Sequence, residues 1–121
     1  MSEKIKMLYV DDESINLQLF EVNFSENYTV LTADNGFSGL ELLENDTDIS
    51  VVISDMRMPK MDGLEFIKKA RDKFPQKRFY LLTGFDMTDE IKEALDKGLI
   101  IKCFRKPYNK NEIERAIKEV S

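Results

Sequence analysis

Five short apolar runs, each followed by a stretch with helical spacing, constrain this chain more than any other feature. The runs occupy residues 7–10, 28–33, 49–54, 79–82 and 100–104. The third contains Val51-Val52-Ile53, apolar at consecutive positions and bounded by polar residues. A strand buried on both faces reads this way, and a parallel sheet covered by helices requires such strands. The intervening segments have a different period. Ser14 opens the first, in which Ile15, Leu19 and Val22, with Phe20 and Phe24, recur at helical spacing. Asn35-Gly36 forms a turn, after which Phe37, Leu40, Leu42 and Leu43 give the second helix, ending near Asn45. Asp62-Gly63 is a turn signal before the third, which runs over 64–74 with Leu64, Ile67, Ala70 and Phe74 on one face, closed by Pro75. The fourth, over 88–97, carries Ile91, Ala94 and Leu95 and is stopped by Gly98. The last starts at Asn109, with Glu112 in capping-box spacing and Ile113, Ala116, Ile117 and Val120 as its buried stripe.

Such alternation predicts a parallel α/β sheet with helices on both faces and right-handed crossovers. Connections are short and no linker interrupts them, so residues 1–121 are expected to form one domain. A chain of 121 residues can bury roughly two thirds of its unfolded surface.

Composition narrows the chemistry. The net charge of −5 disfavours direct contact with a nucleic-acid backbone. With no histidine and one cysteine, neither a zinc site nor histidine acid–base catalysis can be built, and no internal disulfide can form. No apolar segment approaches the ~18 residues of a membrane span, and residues 1–6 lack the apolar core of a signal peptide. A cytoplasmic domain without a membrane partner is expected, with carboxylates as its main reactive groups.

In a parallel sheet every strand directs its C-terminal end to one edge, where open α/β sheets keep their ligand crevice. Asp11 and Asp12 after the first strand, Asp55 just past the third, Thr83 after the fourth and Lys106 after the fifth should therefore converge. Each has an ordinary structural explanation on its own: helix capping for Asp11-Asp12, an Asx turn for Asp55, β propensity for Thr83, a solvated charge for Lys106. All five explanations would have to hold at one edge. Three carboxylates in one place repel, and a divalent cation removes the conflict. With oxygen ligands only, that cation would be Mg²⁺, or Mn²⁺. A metal with open positions beside a lysine and a hydroxyl suits a phosphoryl group, which a carboxylate can accept as an acyl phosphate.

The segments VDDE at 10–13, SDMRMPKMDG at 54–63, LTG at 82–84 and KP at 106–107 resemble the receiver domain of bacterial two-component response regulators, in order and over essentially the whole chain. The resemblance implies a flavodoxin-like, doubly wound, five-stranded parallel sheet in the order 2-1-3-4-5 with five helices. It implies that Asp55 is the phosphoacceptor, that Asp12 binds Mg²⁺ directly, and that Asp11 does so through a metal-bound water. The Arg57 carbonyl would be a further metal ligand. Thr83 and Lys106 would contact the phosphoryl group, the Lys106-Pro107 bond would be cis, and Gly84 would leave room beside it. The implied donor is a sensor histidine kinase or a histidine phosphotransfer protein. The implied readout face is the fourth helix, fifth strand and fifth helix, touching an unidentified downstream protein. Such a domain catalyses its own phosphorylation and dephosphorylation but is not a turnover enzyme, and a dimer formed on phosphorylation stays open.

One position departs from the family pattern. Three residues before the lysine, receivers usually carry a tyrosine or phenylalanine that changes rotamer with the threonine; here it is Cys103. Alternation sends the adjacent Phe104 to the opposite face, into the core. Three other classes compete. An aspartate-nucleophile phosphohydrolase would need an acid–base residue where Arg57 stands. A flavodoxin-type binding module would need a phosphate-cradling loop where Asp11-Asp12 stand. A receiver fold that signals by docking alone, or the receiver fragment of a longer regulator, remains an alternative.

Overall fold

The computed structural model describes residues 4–84 and 87–120. Its elements follow in the order β1 (Ile5–Val10), α1 (Ser14–Phe24), β2 (Tyr28–Ala33), α2 (Gly36–Asn45), β3 (Val51–Asp55), α3 (Gly63–Lys73), β4 (Arg78–Thr83), α4 (Asp89–Asp96), β5 (Lys102–Arg105) and α5 (Lys110–Val120). All strand pairs are parallel, in the order β2-β1-β3-β4-β5, the doubly wound arrangement expected.

Side-chain alternation divides the core in two. Leu8, Val10, Val52, Phe79 and Leu81 pack toward α2, α3 and α4. Met7, Tyr9, Val51, Ile53, Tyr80, Leu82 and Phe104 pack toward α1 and α5, against Phe20, Phe24, Ile113 and Ile117. Phe104 is buried on the α5 side, stacked on Tyr80 with ring centroids 5.7 Å apart, while the half-buried Cys103 packs against the opposite cluster. The placement expected for both residues holds.

Helix starts are fixed by side-chain caps. Asn35 accepts from the Ser38 N–H, Thr88 from Ile91 and Asn109 from Glu112. Asn35-Gly36 is thus a helix entry rather than a free-standing turn. Asp62 and Glu65 form a complete capping box at α3, tying down the helix that follows the β3 loop. Gly98 ends α4 in the left-handed region, at φ 75°, which favours glycine.

Several boundaries differ from the sequence reading. β1 begins at Ile5 because Ile5 and Lys6 extend the ladder with Tyr28 and Thr29. β5 begins only at Lys102, although the Ile101 N–H already donates to the Phe79 carbonyl. Asp55 is the last paired residue of β3, opposite Leu82, rather than a loop residue beyond it. The larger correction concerns α1. Only Phe20 and Phe24 are buried, while Ile15, Leu19 and Val22 are 67%, 54% and 74% exposed. Phe37 on α2 is also exposed. On α5, Ile113, Ala116 and Ile117 are buried as expected, and Val120 lies outside the described side chains.

Candidate functional site

The predicted convergence is real for the charged groups. One carboxylate oxygen each from Asp11, Asp12 and Asp55 lies within 4.8 Å of the others. Asp11 and Asp55 are buried and Asp12 is exposed, so the cluster opens to solvent on one side. Lys106 Nζ stands 2.9 Å from Asp55 Oδ1 and 3.3 Å from Asp11 Oδ2. The Lys106-Pro107 bond is cis.

Thr83 is buried as the last residue of β4, opposite Arg105, and its carbonyl accepts the Lys106 N–H at 2.8 Å. Among the described residues, a Cβ added at Gly84 would meet nothing closer than Lys106 Cδ at 4.0 Å. Arg57 lies exposed in the loop after β3. That loop is closed from behind, because the Gly63 N–H donates to the Met56 carbonyl while the Met56 N–H donates to Leu82.

The electrostatics follow from burial and crowding. Burial pushes the Asp55 carboxyl up; the Lys106 ammonium pulls it back, Asp11 and Asp12 push it further, and the net direction is upward. Burial alone would lower Lys106, yet the Asp55 and Asp11 carboxylates hold it above its ordinary value. Lys106 therefore remains a cation near neutral pH.

Two participants escaped the sequence reading. The Tyr9 hydroxyl donates to Asp11 Oδ2 at 2.7 Å, and the Asn16 side-chain amide donates to the same oxygen at 3.2 Å. Burial first, and then Asp11, drive the Tyr9 phenol far above its usual range, so it stays a donor. The signal for Tyr9 was available: positions i and i+2 of a strand share a face.

The donor set fits a hard divalent cation. All three side chains offer oxygen only, and three carboxylates against one ammonium leave two formal negative charges unbalanced. Among the described residues, no other cluster of metal-ligating side chains of this kind was found. Asp11, Asp12 and Asp55 are the residues that would hold such an ion. Cys103 does not belong to the site, and burial raises its thiol, which weakens it as a nucleophile.

A cleft of about 310 Å³ opens beside the cluster, between α1 and the segment after β5. Tyr9, Asn16, Leu19, Asn23, Lys106, Pro107 and Tyr108 line it, and the Asn23 amide bridges its rim to the Tyr108 hydroxyl at 2.7 Å.

Comparison with known proteins agrees with this architecture. The family model described as response regulator receiver domain matches residues 7–118. Sporulation initiation phosphotransferase F of Bacillus subtilis is 33% identical, over 98% of this chain and 94% of that protein. The transcriptional regulatory protein GlrR of Escherichia coli is 32% identical over 92% of this chain, which spans only 25% of that longer protein. A solved response regulator receiver domain protein from Clostridium thermocellum superposes with a TM-score of 0.88 at 31% identity, over 95% of this chain and 92% of that one.

Proposed function

The chain belongs to the receiver-domain family of two-component response regulators, and from that premise we propose that it accepts a phosphoryl group on Asp55 from a phosphohistidine, in a reaction that needs Mg²⁺. The observation that carries this reading is the pairing of the buried Asp55 with Lys106 inside a three-carboxylate cluster. In the transfer, an Asp55 oxygen bonds to phosphorus as the phosphorus–nitrogen bond of the phosphoimidazole breaks, and the released imidazole takes a proton from solvent. Mg²⁺, when bound, neutralises charge on the phosphoryl oxygens and the carboxylates. Asp12 would hold the ion directly, with Asp11 acting through a water and the Arg57 carbonyl contributing. Lys106, fixed between Asp55 and Asp11, would exchange the Asp55 carboxylate for the phosphoryl oxygens as they arrive. Thr83 would hydrogen-bond the same group. Water attack on the acyl phosphate returns the carboxylate and releases phosphate.

Incubation with Mg²⁺ and acetyl phosphate should add one phosphoryl group by intact mass, and a chelator should prevent it. No adduct in chain shown by calorimetry to bind Mg²⁺ would overturn the proposal in favour of docking without phosphorylation.

Receiver domains work with histidine kinases and downstream effectors. For the donor, we read the outward stripe of α1 as the docking surface. Ile15, Leu19 and Val22 are apolar and exposed, and Leu19 also lines the cleft that reaches Lys106. Val22→Glu should cut loading by a cognate histidine phosphotransfer domain roughly tenfold or more, the scale of an interface hot spot. Loading by acetyl phosphate should be unaffected, since Val22 is 74% exposed and does not line the cleft that reaches Lys106. Equal rates from both donors in mutant and wild type would exclude this surface. For the output, the α4–β5–α5 face remains the proposed readout, with Ile101 exposed beside it. Cys103 in place of an aromatic removes the usual partner of Thr83 in that response. Cytoplasmic residence follows from the reading; among the described residues, no helix is long and apolar enough to cross a membrane.

A further inference from the structure

We propose that Tyr9 is a positioning residue of the acidic pocket, its hydroxyl fixing which oxygen of Asp11 is presented to the cation. The inference rests on reading the pocket as a divalent-cation site. Asp11 Oδ2 receives three donors: the Tyr9 hydroxyl at 2.7 Å, the Asn16 amide at 3.2 Å and Lys106 Nζ at 3.3 Å. Oδ1 receives the Glu13 N–H at 3.0 Å. A carboxylate oxygen offers two lone-pair positions, so Oδ2 is saturated and Oδ1 keeps capacity for a cation or its water.

The three donors to Oδ2 are not equivalent. Lys106 is shared with Asp55 and, in the proposed transfer, turns toward the phosphoryl group. Asn16 sits in the first turn of α1, half-buried. Tyr9 alone is held by an aromatic stack. Its ring is buried and stacked on Phe20 at 4.1 Å with planes 10° apart, and Phe20 stacks in turn on Phe24 at 4.4 Å. The hydroxyl therefore stays in place when Lys106 leaves, and Asp11 keeps its orientation through the reaction. Outer-shell donors of this kind orient metal-binding carboxylates elsewhere, and their loss costs about 10–100-fold in metal affinity.

The test uses the unphosphorylated chain and no phosphodonor. Tyr9→Phe keeps the stacked ring and removes only the hydroxyl. Titration calorimetry with Mg²⁺ and with Mn²⁺ should show binding weakened about tenfold relative to wild type. A second measurement starts from the wild-type chain. The chain has four tyrosines and no tryptophan, so near-ultraviolet difference absorbance reads tyrosines directly. Adding cation to wild type should perturb one tyrosine. That signal should survive Tyr108→Phe and vanish in Tyr9→Phe. Unchanged cation affinity in Tyr9→Phe, or no tyrosine signal in a wild-type chain that does bind the ion, would overturn the assignment of Tyr9 alone. A wild-type chain that binds neither ion would overturn the cation site and this inference together.

Discussion

Asp55→Asn is expected to melt above the wild-type chain in the presence of a chelator, while taking up no phosphoryl group under conditions that load wild type. The two outcomes have one cause. Burial is the largest influence raising the Asp55 carboxyl, and the Asp11 and Asp12 carboxylates, within 4.8 Å, add to it against the pull of Lys106. Repulsion between like charges under 5 Å apart, partly screened, is worth on the order of 1 kcal/mol or more, and the substitution removes it. Lys106 keeps Asp11 as its partner. For a chain of this size each kilocalorie corresponds to roughly 4 °C in melting temperature.

The pH dependence follows with a definite sign. A carboxyl raised in the folded state keeps its proton at pH values where the unfolded chain has already lost it. Wild-type stability from this group therefore falls as pH rises from the ordinary carboxylate value, about 4, through the raised one. Asp55→Asn lacks that decline, so its advantage should be absent below about pH 4 and complete once Asp55 has ionised. Saturating Mg²⁺ should narrow the gap, because the ion binds the wild-type site more tightly. Calorimetric melts with chelator and with Mg²⁺, across this range, check all three points. An Asn variant that melts lower than wild type in chelator at neutral pH would mean that the Lys106 pair outweighs the repulsion.

Gly63→Ala is expected to be among the most damaging single-methyl changes in the chain. An added Cβ would stand 2.2 Å from the Asp55 carbonyl oxygen and 2.9 Å from Leu81 Cδ1. The first obstacle is backbone, held in the β3–β4 ladder, and it cannot rotate away. α3 must then move off the strand, against its own capping box and the bond from Gly63 N–H to Met56. Overpacking of this kind costs about 3 kcal/mol or more, a drop of some 10 °C. The displacement also falls on Asp55 itself, and a misplacement of about 1 Å at a reacting group can slow a reaction roughly a hundredfold. Gly84→Ala is the natural control: among the described residues its Cβ meets nothing closer than 4.0 Å, and stability should change by less than about 0.5 kcal/mol. Parallel denaturant melts decide the point, and a Gly63→Ala chain as stable as the Gly84→Ala chain would contradict the packing described.

Much of this architecture was legible in the residues. Five apolar runs ending in Asp, Thr or Arg-Lys, separated by helical spacing, dictate a parallel sheet, and a parallel sheet dictates the shared edge. What was not legible has physical reasons. Periodicity identifies α1 as a helix, yet Ile15, Leu19 and Val22 match the pattern as well as Phe20 and Phe24 do. In the fold Phe20 and Phe24 turn inward, where they stack with Tyr9 and pack against Tyr28 and Tyr108. Asn16 reaches Asp11 from the next element, a contact that strand and helix periods do not show. The capping box of Asp62 and Glu65, by contrast, stood in the sequence at its usual spacing and was passed over as a turn.

The division of labour on α1 has a consequence for how such a chain can change over time. Two buried phenylalanines anchor the helix, so the outward residues owe nothing to folding. Ile15, Leu19 and Val22 can be exchanged at little thermodynamic cost, and under the docking role proposed above the preferred phosphodonor would change with them. Phe20 meanwhile stays stacked on Tyr9, which bonds Asp11. Under that proposal, copies of such a gene could diverge in whom they listen to while retaining one chemistry, and signalling lines would become insulated by substitutions on a single helical stripe.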